Sequence, residues 1–116
     1  MEQKYTVSWH FEGKEANVKE VYDRLIDELR KIGEIHESPK KSSIHLEHKT
    51  GFAGVYPRKS YLLLHFRTDY PIENERIEKQ EQLSLRRYKH TLKLDKETQI
   101  NSELFKWLKD AHHLAG

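Results

Sequence analysis

Residues 51–66 read GFAGVYPRKSYLLLHF, and their period decides between a helix and a sheet. Leu62, Leu64 and Phe66 alternate with Tyr61, Leu63 and His65, which sends successive side chains to opposite faces of an extended strand. Pro57 presets the backbone of a turn at Pro57-Arg58-Lys59-Ser60. Strands near 52–57 and 61–67 therefore fold back on one another, with two cations, Arg58 and Lys59, at the tip of the hairpin.

The same period of two extends outward. Ile44, Leu46 and His48 alternate with Ser43, His45 and Glu47, predicting a strand near 43–49. Tyr88, His90, Leu92 and Leu94 alternate with Arg87, Lys89, Thr91 and Lys93, predicting another near 86–94. Residues 5–11 also alternate and read as an edge strand or an extended lead-in, closed by a turn at Glu12-Gly13. The period changes to 3.6 in two places. Val18, Val21, Tyr22, Leu25, Leu29 and Ile32 form one stripe over 17–33, with Asn17 as the expected N-cap, Glu20 completing a capping box and Gly33 as the left-handed residue past the end. Leu104, Phe105, Leu108 and Ala111 form a second over 102–113, with Asn101 as N-cap, an Ile100–Phe105 staple, and Trp107 and His112 at its margins. The connection 68–84 holds Pro71 and mixed charge without a stripe, so it reads as a long loop with at most a helical turn around Ile77. The expected fold is α+β: an antiparallel sheet of four or five strands packed against an N-terminal and a C-terminal helix, in one domain spanning 1–116.

Composition bounds the function. Of 116 residues, 34% are charged and 35% hydrophobic, with no cysteine. Disulfides, thiolate catalysis and cysteine-bearing zinc sites are excluded, and the expected compartment is the cytoplasm. No apolar run approaches the roughly 18 residues of a membrane span, so no membrane partner is expected. The net charge of +2 argues nothing by itself, but its distribution is uneven. Residues 40–59 contain Lys40, Lys41, Lys49, Arg58 and Lys59 against Glu47, and residues 86–96 contain Arg86, Arg87, Lys89, Lys93 and Lys96 against Asp95.

The local wording of HFEGKEANVKEVYDRLIDELRKIG, FAGVYPRKSYLLLHF, YPIENERIEK, RRYKHTLKL and INSELFKWLKDAHHL resembles an uncharacterised small α+β domain of bacterial proteins loosely labelled predicted transport proteins. The likeness runs from His10 to Leu114, and it departs at Ala111-His112, where alanine followed by tyrosine is the expected pattern. The resemblance implies a single α+β domain, and the transport label finds no counterpart in a chain without membrane segments. It also implies a binding role, through similarity to domains attached to nuclease or restriction-associated modules.

No residue pattern points to catalysis: the chain has no glycine-rich phosphate loop, no nucleophile elbow and no triad spacing. Carboxylate pairs such as Asp23 with Asp27, or Glu75 with Glu78, fall on solvated surfaces. His45 and His48 point to opposite faces of one strand, His112 and His113 diverge on a helix, and a His48, His65 and His90 set does not converge, so neither metal nor cofactor is expected. The expected function is non-catalytic binding of an anionic ligand, most of all nucleic acid, by Lys41, Arg58, Lys59, Arg87 and Lys89. Trp9, Tyr61, Tyr88 and Trp107 are the candidate stacking residues, Trp107 being the one expected to pack between helix and sheet instead. The same cations also serve to keep sheet edges apart. A protein-interaction or self-association module is the alternative, and a hydrolase or nuclease accessory domain ranks lower; the oligomeric state is left open.

Overall fold

The computed structural model describes residues 5–115. A short 3-10 turn, Ser8–Phe11, leads into helix α1, Ala16–Arg30. Six strands follow: β1 His36–Pro39, β2 Ile44–Glu47, β3 Gly51–Pro57, β4 Leu62–Thr68, β5 Ile77–Ser84 and β6 Arg87–Leu94. Helix α2, Ser102–Ala115, ends the described chain. All neighbouring strands are antiparallel, in the order β1-β2-β3-β4-β6-β5.

Both helices lie on one face of this sheet. The alternation expected for β4 and β6 puts Leu62, Leu64, Phe66, Leu92 and Leu94 against them, all at most 1% exposed, together with Val18, Leu25 and Leu29 of α1 and Leu104 and Leu108 of α2. Trp107 is buried rather than marginal, its ring parallel to that of Phe66 with centroids 6.1 Å apart. Among the described residues no helix is long and apolar enough to cross a membrane.

The α+β class and the two helices match expectation, but six strands replace the four or five expected. The two extra strands carry no apolar alternation. β1 reads HESP, and β5 reads IEKQEQLS with most of its residues exposed. Both are edges of the sheet, where there is little apolar surface to bury. Residues 5–11 are not a strand: the segment turns helically, and His10 Nε2 donates to the Lys40 carbonyl at 2.7 Å, docking it on the β1–β2 turn.

Two helix caps also differ. Glu15, not Asn17, precedes α1; the Asn17 side-chain amide instead donates to the carbonyls of Ser60 and Asp95, both at 3.0 Å. Two backbone acceptors in loops at the end of the sheet thus claim a side chain placed to cap its own helix. Gly33 is not left-handed; among the described residues Gly13 alone has a positive φ, of 75°. The small size of Gly33 matters instead, because a Cβ there would stand 3.1 Å from Cε1 of buried His112. At α2 the expectation holds: the Asn101 carboxamide oxygen accepts from Leu104 N at 3.1 Å.

The connection 69–76 is pinned along its length. Thr68 Oγ1 donates to the Tyr70 carbonyl at 2.6 Å, so its one proton is committed, and the His90 Nε2 at 2.7 Å from the same oxygen must be the donor there. His90 is fully buried, and burial pushes its pKa down, keeping the ring neutral. Tyr70 donates to Asp110 at 2.6 Å, and Arg76 donates to the Gln99 carbonyl at 2.6 Å while meeting Glu103 at 3.3 Å. Thr68→Val keeps the shape but leaves the imidazole N–H and the Tyr70 carbonyl without this partner. A loss of about 1–3 kcal/mol is expected in urea unfolding, and an unchanged midpoint would show that this relay contributes nothing.

Candidate functional site

The sheet face turned away from the helices is formed by the alternate residues of the same strands. Gly54 pairs with His65, His65 with Thr91 and Thr91 with Lys79 across β3, β4, β6 and β5. One rung further, Arg67 pairs with Lys89 and Lys89 with Glu81. In the other direction Tyr56 pairs with Leu63 and Leu63 with Lys93. No helix covers this face among the described residues.

Gly54 leaves a gap in the face, and there the surface sinks into a recess of about 320 Å³ lined by His45, Gly54, Tyr56, His65, Arg67 and Lys89 among others. A Cβ at Gly54 would make only ordinary contact, 3.7 Å to Tyr56 Cε1, so the backbone does not demand glycine there. Tyr56 and His65 pack with ring centroids 4.5 Å apart and planes inclined by 36°. Lys93 lies over the Tyr61 ring at 4.7 Å.

His65 is the electrostatic centre of the face. Burial, foremost, and then Lys89 push its pKa down to about 4; Glu81 opposes this, while Lys79 and Arg58 add to it. The ring is therefore neutral at pH 7, and its enclosed Nδ1 makes no hydrogen bond among the described residues. A neutral imidazole beside a tyrosine offers a flat, polarizable surface inside a ring of fixed cations. Glu81, held by Lys79 at 3.1 Å and facing Lys89 at 3.9 Å, is the acidic member of that ring.

The five residues expected to bind together are not one cluster. Lys41, Arg58 and Lys59 sit in the β1–β2 and β3–β4 turns at one end of the sheet. Arg87 starts β6 at the opposite end, beyond the Thr68–Tyr88 rung; the Leu62–Leu94 rung is six residues away, about 20 Å along the strands. Arg58 and Lys89 do share influence over His65. Lys59 does not join them; its carbonyl accepts from Glu15 N at 2.8 Å, and its side chain is exposed in the turn. Of the expected stacking residues Tyr61 alone belongs to this face. Tyr88 alternates with the core-facing set, Trp107 is buried, and Trp9, 46% exposed, stands beside Tyr5 near the β1–β2 turn. Tyr56, His65 and Arg67 were not among the expected binding residues.

The histidines are dispersed. His65 and His90 project to opposite faces, while His48 stacks on His112 at 4.1 Å and His112 Nε2 donates to the Glu34 carbonyl at 3.0 Å. Among the described residues no group of three metal-ligating side chains comes together.

A family model described as "Domain of unknown function (DUF5655)" matches residues 7–115. The chain belongs to this family. A search of curated proteins and one of solved structures returned no match. The description of the DUF5655 family names no activity, ligand or partner.

The low pKa of His65 has a defined consequence. Above about pH 6.5, the ordinary value for a free imidazole, folded and unfolded chains both carry it neutral. Below that the unfolded chain takes up the proton first, so stability declines as the pH drops, until the folded ring titrates near 4. In a proton NMR titration the His65 ring should show a midpoint of about 4. A midpoint near 6.5 would mean that the ring is solvated and the recess open.

Proposed function

We propose that the open face binds single-stranded nucleic acid, as a binding module without chemistry of its own, acting in the cytoplasm. The observation that carries this reading is the uncovered face on which Tyr56, Tyr61 and His65 are interleaved with Arg67, Lys79, Lys89 and Lys93, with Arg58 in the turn at its end. Bases of any sequence present a flat face to aromatic rings, while the backbone follows cations at the rim. The Gly54 recess is of a size to take one base rather than a folded partner. The absence of cysteine supports the compartment, since the chain needs no oxidising environment.

The reading separates two contributions that one titration series can resolve. Arg67→Ala combined with Lys89→Ala should weaken the binding of a short oligonucleotide and lower the slope of log affinity against log salt, by about 0.7 for each phosphate that is no longer neutralised. Tyr56→Ala should cost about 1–3 kcal/mol of binding with little change of slope, because stacking releases no counterions. Gly54→Val, which fills the recess, should reduce affinity without the slope change. Lys59→Ala, in the turn, should be nearly silent. Absence of binding at about 50 mM salt, where non-specific association is strong, would end the nucleic-acid reading.

A further inference from the structure

The sheet has two edges of different character. β1 offers four residues and ends in Pro39, a short edge of the kind that resists further pairing. β5 offers eight residues without proline, and beyond its ladder with β6 the backbone of 78–84 makes no hydrogen bond among the described residues. Glu78, Lys79, Gln80, Gln82 and Leu83 are exposed along it.

The sequence of this edge complements itself. Outward from Gln80, the stretch IEKQEQL sets Lys79 against Glu81, Glu78 against Gln82 and Ile77 against Leu83. We propose that β5 is a homodimer edge, on which a second copy of the chain adds its own β5 antiparallel about a two-fold axis at Gln80. Lys79 then stands opposite Glu81 of the partner subunit, and Glu81 opposite Lys79 of the partner subunit, on the same face of the joined sheet. Directly opposed side chains have Cβ atoms about 5 Å apart, close enough for both ion pairs. A shift that puts Lys79 or Glu81 opposite its own counterpart sets like charges together, so charge selects the register centred on Gln80.

The existing contacts permit this exchange. Lys79 and Glu81 pair with each other at 3.1 Å along one strand, but with side-chain exposures of 67% and 40% the pair stays solvated and can be traded for two pairs across the interface. Leu83, 49% exposed, lies at one of the strand's two irregularities and Ile77 beyond the other, so neither forms a rung of the joined ladder. Register shifts between Ile77 and Lys79 and between Gln82 and Ser84 confine regular pairing to the middle of the strand. The interface is accordingly small, and the dimer is of the weak class.

Charge exchange tests the pairing without nucleic acid, so its outcome is independent of the binding reading. Sedimentation equilibrium at about 100 μM protein and low salt, a range suited to a micromolar dimer, should give the wild-type chain close to twice its 13.9 kDa. Lys79→Glu alone and Glu81→Lys alone should each sediment as monomers. An equimolar mixture of those two variants should recover the dimer, because each supplies the charge that the other now needs. The double variant, Lys79→Glu with Glu81→Lys, should dimerise by itself. A wild-type chain that stays at 13.9 kDa overturns the proposal. So do single variants as dimeric as wild type, or a mixture or double variant that remains monomeric.

Discussion

One constraint governs this molecule: two helices cover one face of a six-stranded antiparallel sheet and leave the other to solvent. Every strand that crosses the middle of the sheet must therefore sort its side chains by parity. In β4 the sorting gives Leu62, Leu64 and Phe66 to the core and Leu63, His65 and Arg67 to the open face; in β6 it gives His90, Leu92 and Leu94 to the core and Lys89, Thr91 and Lys93 outward. Core and candidate site are thus written on alternate positions of the same strands. The buried histidines follow from the same limit, since a small core cannot exclude every polar group. His10, His90 and His112 are each less than 10% exposed, and each donates a ring N–H, to the Lys40 carbonyl, the Thr68 hydroxyl and the Glu34 carbonyl respectively. Burial becomes tolerable when the ring N–H has a fixed acceptor.

The parts of the fold legible in the sequence are those where burial imposes a period. The α1 stripe, β2, β4 and β6 are of this kind, while the Asn101 cap is legible as a local hydrogen-bond signal. β5 escaped notice because its neighbours ask nothing apolar of most of its positions; its residues satisfy a backbone ladder, and a ladder leaves no signature in side-chain polarity. The connection before it was legible as long but not as ordered. Its anchors, Tyr70 on Asp110 and Arg76 on the Gln99 carbonyl, join residues 40 and 23 positions apart, which no local pattern reports. Asn17 failed as a cap for a related reason, since two distant carbonyls compete for the same amide.

The open-face cations are legible in the sequence one by one, but not as a set of neighbours. Nearness along the chain grouped Arg58 with Lys59 and Arg87 with Lys89, but a turn and a strand distribute neighbours in different directions. Membership follows rungs, and rungs depend on strand order: once β4 lies beside β6 and not β5, Arg67 meets Lys89 and Thr68 meets Tyr88. Two signals were nonetheless present. Arg67 continues the parity of His65 opposite the apolar set, and Gly54 interrupts a strand where a side chain was expected, a mark of a close approach or a gap.

The open-face charges also help to hold the fold that displays them. A slip of one residue in β4 would turn Leu63, His65 and Arg67 inward and expose Leu62, Leu64 and Phe66. For Leu63 alone the exchange is nearly neutral, as both faces would then hold leucine. His65 and Arg67 decide it, because an unpaired guanidinium brought under the helices costs several kcal/mol on general grounds. β6 carries the same safeguard in Lys89 and Lys93, and β4 and β6 must slip together or lose their ladder. The cations of the open face are thus register markers whatever they bind, so removing one is cheap in the native register while removing all of them weakens the choice of register itself. Charge at alternate positions is the common cause of a one-sided core and of a sheet face that no helix covers.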